Sequence, residues 1–228
     1  MKKIIVGIFA HPDDEAFGPS ATLLRERMNG ADIHLICVTD GEAGANPDNH
    51  PNLAAVRCAE WREAGGLIGA SSMTNLQLAD SQLCNANFIP LAERLEKEIM
   101  AIADLQTEEY KLELMTLDLN GLTGHLDHIL VARVTCFLHC KLKKQLPSTG
   151  KLRLFCVAHD DFPEINCDWI YMEPGRDQEH ISETVDARDL YERVDEIMHT
   201  HRSQADDYNF IKQKYGERVA INHFITID

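Results

Sequence analysis

Residues 4–15 read Ile-Ile-Val-Gly-Ile-Phe-Ala-His-Pro-Asp-Asp-Glu, and this stretch decides the fold. Its first seven residues are apolar and rich in β-branched side chains, a pattern typical of a strand that is buried on both faces. Such strands belong to parallel sheets that are covered by helices. Pro12 has no amide N–H, so the strand must end here and the chain must leave the sheet. The side chains that follow the strand directly are almost all ionisable.

Strand-like and helix-like segments alternate along the rest of the chain. Apolar runs predict strands at residues 33–38, 74–78, 112–119, 152–158 and 219–226, and helical periodicity predicts helices at residues 16–28, 53–67, 87–103, 128–144 and 186–200. This alternation predicts an α/β fold, a Rossmann-like three-layer sandwich in which helices cover both faces of a mostly parallel sheet. We expect one domain over residues 1–228, with ligands bound at the carboxyl ends of the strands. Residues 159–185 read as irregular apart from a short strand at 169–172, and with Trp169 and Tyr171 they are expected to shape the pocket.

Composition and charge narrow the class of partner. The 228-residue chain carries 22 Lys and Arg against 37 Asp and Glu, a net charge of −15. A field of that sign repels phosphate groups, so neither nucleic acid nor an anionic membrane is an expected partner. No apolar run is long enough to span a bilayer, which predicts a cytoplasmic protein. The seven cysteines include no Cys-x-x-Cys pair, which favours a reducing compartment without a disulfide framework.

A second polar motif follows the fourth predicted strand. His125 and His128 stand three residues apart at the start of a helix, with an aspartate between them. Because parallel strands end at one edge of their sheet, this motif and the first can meet there. His11, Asp14 and His128 can then share one metal ion, and two histidines with one carboxylate leave the open position of a catalytic zinc site. Taken alone, each motif also fits a helix N-cap or a solvated loop.

Together the two motifs resemble the LmbE/PIG-L family of zinc-dependent N-acetylglucosaminyl deacetylases. The resemblance rests on residues 10–15, Ala-His-Pro-Asp-Asp-Glu, and on residues 124–128, Gly-His-Leu-Asp-His. Weaker similarities accompany them in order along the chain, at residues 39–44, at Arg57 with Glu60, and at residues 201–204. The chain departs from the family pattern at Leu126, where a proline is common, and at Asp195, where a lysine often stands.

The resemblance implies an LmbE-like fold and a metal-dependent hydrolysis of an amide. The implied Zn²⁺ ligands are His11, Asp14 and His128. Asp13 would be the general base that deprotonates the attacking water. His125, held by Asp127, would stabilise the tetrahedral oxyanion together with the metal. Either Asp13 or His125 would protonate the leaving amine.

The implied substrate is a small molecule that carries an N-acetylated amino sugar of the N-acetylglucosamine type. Arg57 and Glu42 would bind it. Both also have ordinary structural explanations, since Arg57 and Glu60 can pair on a helix surface and Glu42 lies among turn-forming residues. The roles of Glu15 and His201 are left open, because the helix dipole alone favours a carboxylate at a helix start and a histidine at a helix end. A homo-oligomer is compatible with the sequence.

Two other functions are weighed against this one. An amidase of the same fold would act on a thiol conjugate or an acylated natural product. A phosphoacceptor signalling domain also places paired acids after its first strand, where they bind magnesium. It would leave His11 and the two later histidines unexplained, and the lysine expected after the fifth strand is missing from His159-Asp160-Asp161. Stoichiometric zinc favours the hydrolases, and magnesium-dependent labelling by a phosphodonor favours the signalling domain.

Overall fold

Seven strands form one sheet in this computed structural model, which describes residues 1–167 and 170–228. They are β1 (Lys2–Phe9), β2 (Asp32–Thr39), β3 (Ser72–Leu78), β4 (Tyr110–Leu117), β5 (Thr149–Cys156), β6 (Glu183–Asp186) and β7 (Ile221–Ile227). Their order is β3-β2-β1-β4-β5-β7-β6, and β1 to β5 run parallel. In the described sheet β7 runs opposite to the other six strands, and it therefore pairs antiparallel with both β5 and β6. The predicted α/β fold with a mostly parallel sheet is confirmed.

Helices cover both faces of the sheet. They are α1 (Asp14–Phe17), α2 (Ser20–Met28), α3 (Leu53–Ile68), α4 (Phe88–Asp104), α5 (Gly121–Gly124), α6 (Leu126–Gln145), α7 (Tyr191–His199) and α8 (Ala205–Tyr215). Short 3₁₀ turns lie at Asn85–Asn87, Gln178–His180, Arg188–Leu190, Arg202–Gln204 and Gly216–Ala220. No helix within the described ranges has the length and apolar composition that crossing a membrane requires.

Two apolar layers lie on the two faces of the sheet, and β1 contributes to both. Ile5 and Phe9 face one layer, which includes residues of α2, α3 and α7. Ile4, Val6 and Ile8 face the other layer, with residues of α4 and α6. All five side chains are at most 1% exposed. Each contributes about 1.5–3 kcal/mol of stabilisation by burial, which explains why this strand is apolar from Ile4 to Phe9.

The strand order reverses between β1 and β4. From β1 the chain moves outward to β2 and β3, and it then returns to place β4 on the other side of β1. At such a point a crevice forms outside the carboxyl ends of two strands, and ligands bind there in open α/β sheets. The segments that follow β1 and β4 therefore lie side by side, as the two polar motifs predicted.

Two predicted helices differ from the structure, one because it is interrupted and one because it begins later in the chain. The helix predicted at residues 16–28 is broken into α1 and α2, because Pro19 has no amide N–H with which to continue the first helix. The helix predicted at residues 186–200 starts only in α7, because Asp186 still pairs with β7 as the last residue of β6.

Helix α8 and strand β6 were not predicted. Neither has a strong apolar pattern, and Tyr208 is the buried residue of α8. Of the short strand predicted at residues 169–172, Met172 forms an isolated bridge with Asn166. Trp169 lies outside the described residues.

Candidate active site

The carboxylate of Asp14 holds the turn that follows β1. Its Oδ2 accepts hydrogen bonds from the amides of Ala10 and His11, both at 2.9 Å. Pro12 takes the chain out of the sheet, and α1 begins at Asp14. His11 and Asp14 are both buried. The turn therefore fixes both side chains at the carboxyl edge of the sheet.

His128 reaches the same place from the first turn of α6. Its Nδ1 lies 3.0 Å from the carbonyl oxygen of Gly121, which leaves Nε2 for another partner. That Nε2 lies 2.8 Å from Nδ1 of His11 and 3.2 Å from Oδ1 of Asp14. The third separation, between Nδ1 of His11 and Oδ2 of Asp14, is 3.9 Å. The structure thus brings together the three residues that were predicted to bind the metal.

These three side chains suit a tetrahedral metal ion. Zn²⁺ bonds of roughly 2.0–2.1 Å to nitrogen and oxygen place neighbouring ligand atoms about 3.4 Å apart. The separations of 2.8, 3.2 and 3.9 Å span that value. His125 lies close as well, since one ring nitrogen from each of His11, His125 and His128 is within 4.8 Å of the others. Two imidazoles and a carboxylate form a donor set that suits zinc.

Two more buried carboxylates face the far nitrogen of His11. Its Nε2 lies 3.0 Å from Oδ1 of Asp80 and 3.5 Å from Oδ2 of Asp127. A carboxylate behind a metal-binding histidine fixes the ring and increases its basicity. Burial disfavours the charged form of His11, yet the interactions with Asp127 and Asp80 raise its pKa to about 10. With Asp14, these carboxylates create a strong local preference for positive charge.

Asp80 is absent from the residues predicted from the sequence. It follows β3 after one intervening residue and so reaches the same edge of the sheet as the other acids. Its Oδ2 accepts a hydrogen bond from the amide of Ala43 at 3.0 Å, and its own amide donates to Oε1 of Glu42 at 2.9 Å. Burial opposes its ionisation, but the interaction with His11 lowers its pKa to about 2. Its position just after a parallel strand was the signal that could have identified it.

Arg57 and Glu42, which were predicted to bind substrate, both contact protein groups. Arg57 is 4% exposed, and its Nη2 donates to Oδ2 of Asp13 at 2.7 Å and to the carbonyl oxygen of Pro12 at 3.1 Å. Its Nη1 donates to the carbonyl oxygen of Gly41 at 2.7 Å. Glu42 is exposed and accepts the amide hydrogen bond described above. Arg57 therefore orients Asp13, and substrate binding by either residue stays a prediction.

Asp13 has an unusual backbone conformation. Its φ is 148°, in a region that residues with a side chain rarely adopt, and α1 starts directly after it. The ion pair with Arg57 holds its carboxylate, and 13% of the side chain is exposed. The residue lines the same cavity as His11 and His128. Strained conformations of this kind cluster where a functional group must be held in one orientation.

His125 and Asp127 are linked through the main chain. His125 is the N-cap of α6, and its Nδ1 accepts a hydrogen bond from the amide of Asp127 at 3.2 Å. The carboxylate of Asp127 accepts from the amides of Ser81 and Leu83, at 2.8 and 3.2 Å. It also faces His11, as described above. The carboxylate that the sequence assigned to His125 thus lies against His11, and the contact with His125 is made by the amide.

The protonation state of His125 follows from its surroundings. Burial, together with the nearby rings of His128 and His11, lowers its pKa to about 4, so the imidazole is neutral near pH 7. Because Nδ1 accepts a hydrogen bond, we assign the proton of the neutral ring to Nε2. His125 lines the cavity and can donate a hydrogen bond from Nε2 to an oxygen atom there.

A buried network behind α1 explains the sequence pattern at residues 201–204. Glu15 and His201 are fully buried, and Oε1 of Glu15 lies 3.4 Å from Nε2 of His201. Glu60 accepts hydrogen bonds from the amide and the hydroxyl of Ser203, at 2.9 and 2.6 Å. These contacts fasten the 3₁₀ turn before α8 to α1 and α3. They give these residues a structural role in support of the turn after β1.

One cavity of about 870 Å³ is lined by His11, Asp13, Asp14 and His128. A second part of its lining, which we call the apolar wall, consists of Phe162, Met172, Phe210, Ile211, Tyr215 and Ile221. The apolar wall comes from the segment after β5, from the region of α8 and from β7. Tyr171, which was predicted to shape the pocket, is 58% exposed. The cavity thus combines a charged part with an apolar one.

The solved structures that this chain resembles establish its fold. The N,N′-diacetylchitobiose deacetylase of Pyrococcus horikoshii aligns with a TM-score of 0.65 at 20% identity, over 97% of this chain and 81% of that one. A 4-carboxy-2-hydroxymuconate hydratase from Pseudomonas putida aligns with a TM-score of 0.70 at 15% identity, over 100% and 97% of the two chains. At these identities the likeness shows the fold alone, and one fold can carry different reactions.

Sequence comparison identifies the family of the chain as well as its fold. The 1D-myo-inositol 2-acetamido-2-deoxy-α-D-glucopyranoside deacetylase of Thermomonospora curvata is 30% identical over 149 residues, which cover 58% of this chain and 50% of the relative. The chain therefore spans about half the length of that relative. A family model described as PIG-L, GlcNAc-PI de-N-acetylase, matches residues 6–137, which are more than half of the chain and contain both polar motifs. Because this match covers more than half of the chain, the chain belongs to the PIG-L family.

Proposed function

We propose that this protein is a zinc-dependent hydrolase that removes the N-acetyl group from an amino sugar derivative of the N-acetylglucosamine type. The observation that carries the proposal is the convergence of His11, Asp14 and His128. The ring nitrogens of the two histidines are 2.8 Å apart, and the two carboxylate oxygens of Asp14 lie 3.2 Å from His128 and 3.9 Å from His11. The carboxylate of Asp13 and the neutral imidazole of His125 line the cavity beside them. The name of the Thermomonospora curvata relative supports this class of substrate.

His11, Asp14 and His128 would hold the metal. Zinc bound there would supply a Lewis acid that polarises the amide carbonyl and lowers the pKa of a water molecule to about 7. The ring of His128 is fixed by the carbonyl of Gly121, and the ring of His11 by Asp80 and the neighbouring carboxylate. The protein groups around the ligands then determine where protons and negative charge go.

Asp13 moves the proton. Its carboxylate accepts the proton that the attacking water loses and delivers it to the nitrogen of the leaving amine. The water oxygen forms a bond to the carbonyl carbon and the C–N bond breaks, which gives acetate and a free amine. Arg57 remains paired with Asp13 and keeps its carboxylate in one orientation.

His125 stabilises the negative charge that develops on the carbonyl oxygen. Its neutral ring, with the proton on Nε2, donates a hydrogen bond to that oxygen. With a pKa of about 4 it has no second proton to transfer near neutral pH. This lowered pKa supports Asp13, of the two proton donors that the sequence left open, as the group that protonates the amine.

The test combines metal analysis with a deacetylation assay. The protein is loaded with one equivalent of zinc and given methyl N-acetyl-β-glucosaminide, and the released amine is measured. We expect release that stops on chelation and returns with zinc. Asp13→Asn should lose activity by about 10²–10⁴-fold while it retains zinc, because a general base is not a ligand. Asp48→Asn is the matched control, since Asp48 is exposed in a loop and is not among the residues that line the cavity.

Each part of the proposal has a result that would contradict it. Near-normal turnover by Asp13→Asn would remove Asp13 as the base, and full zinc occupancy in His128→Ala would remove His128 as a ligand. Hydrolysis of an acylated thiol conjugate without any hydrolysis of N-acetyl sugars would favour the amidase. Magnesium-dependent labelling by a phosphodonor, without bound zinc, would favour the signalling domain. The cytoplasmic location and the oligomeric state stay predictions.

A further inference from the structure

We infer that the substrate joins its N-acetylated sugar to an apolar aglycone, and that the apolar wall binds this aglycone. The inference rests on the proposed function and adds the other half of the substrate. The cavity has a volume of about 870 Å³. Cavities of this size hold drug-sized ligands, which are larger than one sugar ring. Since the apolar wall and the metal ligands line the same cavity, one molecule can reach both.

Three aromatic rings of the apolar wall are fixed by a single ammonium group. Nζ of Lys214 lies 4.2 Å from the ring centroid of Phe162, 5.5 Å from that of Phe210 and 5.4 Å from that of Tyr215. Each separation is within the range of a cation–π interaction. The main chain of Phe162 is held as well, since its carbonyl oxygen accepts from the amide of Gly175 at 2.7 Å. Rings that are already ordered lose little conformational entropy when a ligand binds.

Three polar side chains that line the cavity next to the apolar wall are engaged with other protein groups. Arg218 forms an ion pair with Asp161. Oδ1 of Asn222 accepts a hydrogen bond from the hydroxyl of Thr22 at 2.8 Å. A second sugar at this position would find these three side chains already paired, which leaves Asp207 of α8 as a lining carboxylate for its hydroxyl groups. An apolar group has no such requirement and is therefore favoured.

Phe210 shows what an aglycone would cover. This side chain is 58% exposed although it is large and apolar, and it faces the cavity. An aromatic aglycone placed against it and Phe162 would remove apolar surface from water on both sides. Burial of a phenyl group should increase kcat/KM by about ten- to one-hundredfold relative to a methyl group.

The test compares substrates that share the same reacting amide. The zinc-loaded protein is assayed with methyl N-acetyl-β-glucosaminide, phenyl N-acetyl-β-glucosaminide and N,N′-diacetylchitobiose. We expect kcat/KM for the phenyl glycoside to exceed that for the methyl glycoside by at least about tenfold. This ratio should fall about tenfold in Phe162→Ala and also in Phe210→Ala, a change of an exposed side chain that leaves the core intact. Phe137→Ala is the matched control, because Phe137 is 42% exposed on α6 and is not among the residues that line the cavity.

Several outcomes would overturn the inference. Equal kcat/KM values for the phenyl and methyl glycosides would do so while the proposed function stands. A preference for diacetylchitobiose that is lost in Asp207→Asn would replace the apolar aglycone by a second sugar, since Asp207 also lines the cavity. If no substrate releases amine, the proposed function fails, and calorimetry with phenyl β-glucoside and methyl β-glucoside then decides. Equal affinities for these two would contradict an apolar aglycone site, and tighter binding of the phenyl glucoside would support it.

Discussion

Two clusters of charged side chains, each with a buried centre, differ in how their charges are balanced. The arginine cluster consists of Arg153, Lys3, Lys151, Glu26, Glu113 and Glu183. Arg153 is 3% exposed, and its Nη2 lies 2.7 Å from Glu26 and 3.0 Å from Glu183. Its Nη1 lies 3.3 Å from Glu113, and each lysine pairs with one of these glutamates. The positive charges in this cluster match the negative charges.

The cluster around the metal ligands lacks such a balance. It contains the carboxylates of Asp14, Asp80 and Asp127, whose ion-pair partners within the described part of the chain are His11 and His128. These histidines are neutral when they act as metal ligands. Buried carboxylates without a cation cost several kcal/mol each, so a divalent ion would complete this cluster. The comparison teaches that a deficit of positive charge distinguishes a binding site from a buried ion-pair network.

The largest effect on stability is expected from a substitution in the arginine cluster. Arg153→Met leaves three glutamates without their common partner and should lower the free energy of unfolding by about 3–5 kcal/mol. Chemical denaturation measures this change, and zinc content and kcat of the folded protein should be unaltered. Lys151→Met is the control, because its side chain is 25% exposed and should contribute about 1 kcal/mol or less. An equal effect of the two substitutions would contradict the central role of Arg153.

Metal removal should affect only the unbalanced cluster. Zinc at one hundred times its dissociation constant should stabilise the native state by about 2.7 kcal/mol, because it binds the folded protein and not the unfolded chain. Thermal unfolding with added zinc and with a chelator measures the difference. The increment should be the same in Arg153→Met as in the unsubstituted protein. A melting temperature that does not respond to zinc would count against a metal in this cluster.

A smaller effect, on zinc affinity, is expected when the carboxylate of Asp80 next to His11 is removed. Asp80→Asn removes a carboxylate from the far nitrogen of His11 and should lower zinc affinity by about 10- to 100-fold. Competition with a chromophoric chelator measures the affinity. Asp48→Asn again provides the control with the same chemical change on the surface. Unchanged affinity in Asp80→Asn would show that this carboxylate does not support the metal.

The smallest expected effect is on the pH dependence of stability, and it arises from Glu183 in the arginine cluster. Burial opposes ionisation of Glu183, but hydrogen bonds from Arg153 and Lys151 outweigh it and lower its pKa. The native state therefore binds this proton less readily than the unfolded chain. The stabilisation is present above the ordinary pKa of about 4.3 and is lost as the pH falls through the lower native value. Denaturation between neutral and acid pH should show a shallower loss of stability in Glu183→Gln than in the unsubstituted protein, and identical slopes would contradict this.

The sequence was sufficient to predict the fold and the meeting of the two polar motifs at one edge of the sheet, because both depend on short stretches of residues. Buried parallel strands are mostly apolar, so the clusters of ionisable residues that follow them stand out, as at His11 and His128. Asp80 escaped this reasoning although the predicted strand at residues 74–78 ends where β3 ends, because a single aspartate after a partly buried strand does not stand out as a cluster of ionisable residues does. The role of the Asp127 carboxylate depends on which side chain it faces, and residue spacing does not determine that.

The apolar wall could not be predicted from the sequence. Phe162 lies in an irregular segment, and Phe210 and Tyr215 belong to a helix whose apolar pattern is weak. These parts meet because β7 returns antiparallel beside β5, and no motif announces that pairing. The proposed aglycone site therefore depends on long-range packing, whereas the proposed metal ligands belong to short motifs.

The distance along the chain between His11 and His128 has a consequence for how the protein matures. The two residues are 117 positions apart, yet their ring nitrogens lie 2.8 Å from each other. While the chain is still being synthesised on the ribosome, the first motif emerges long before α6 and lacks its second imidazole. Binding of the ion is thereby linked to folding of the domain, because no preformed site exists earlier. Under the proposed function, a nascent or truncated chain that stops before His128 lacks one of the three proposed ligands, so tight binding of zinc would follow the folding step that brings β1 and β4 together.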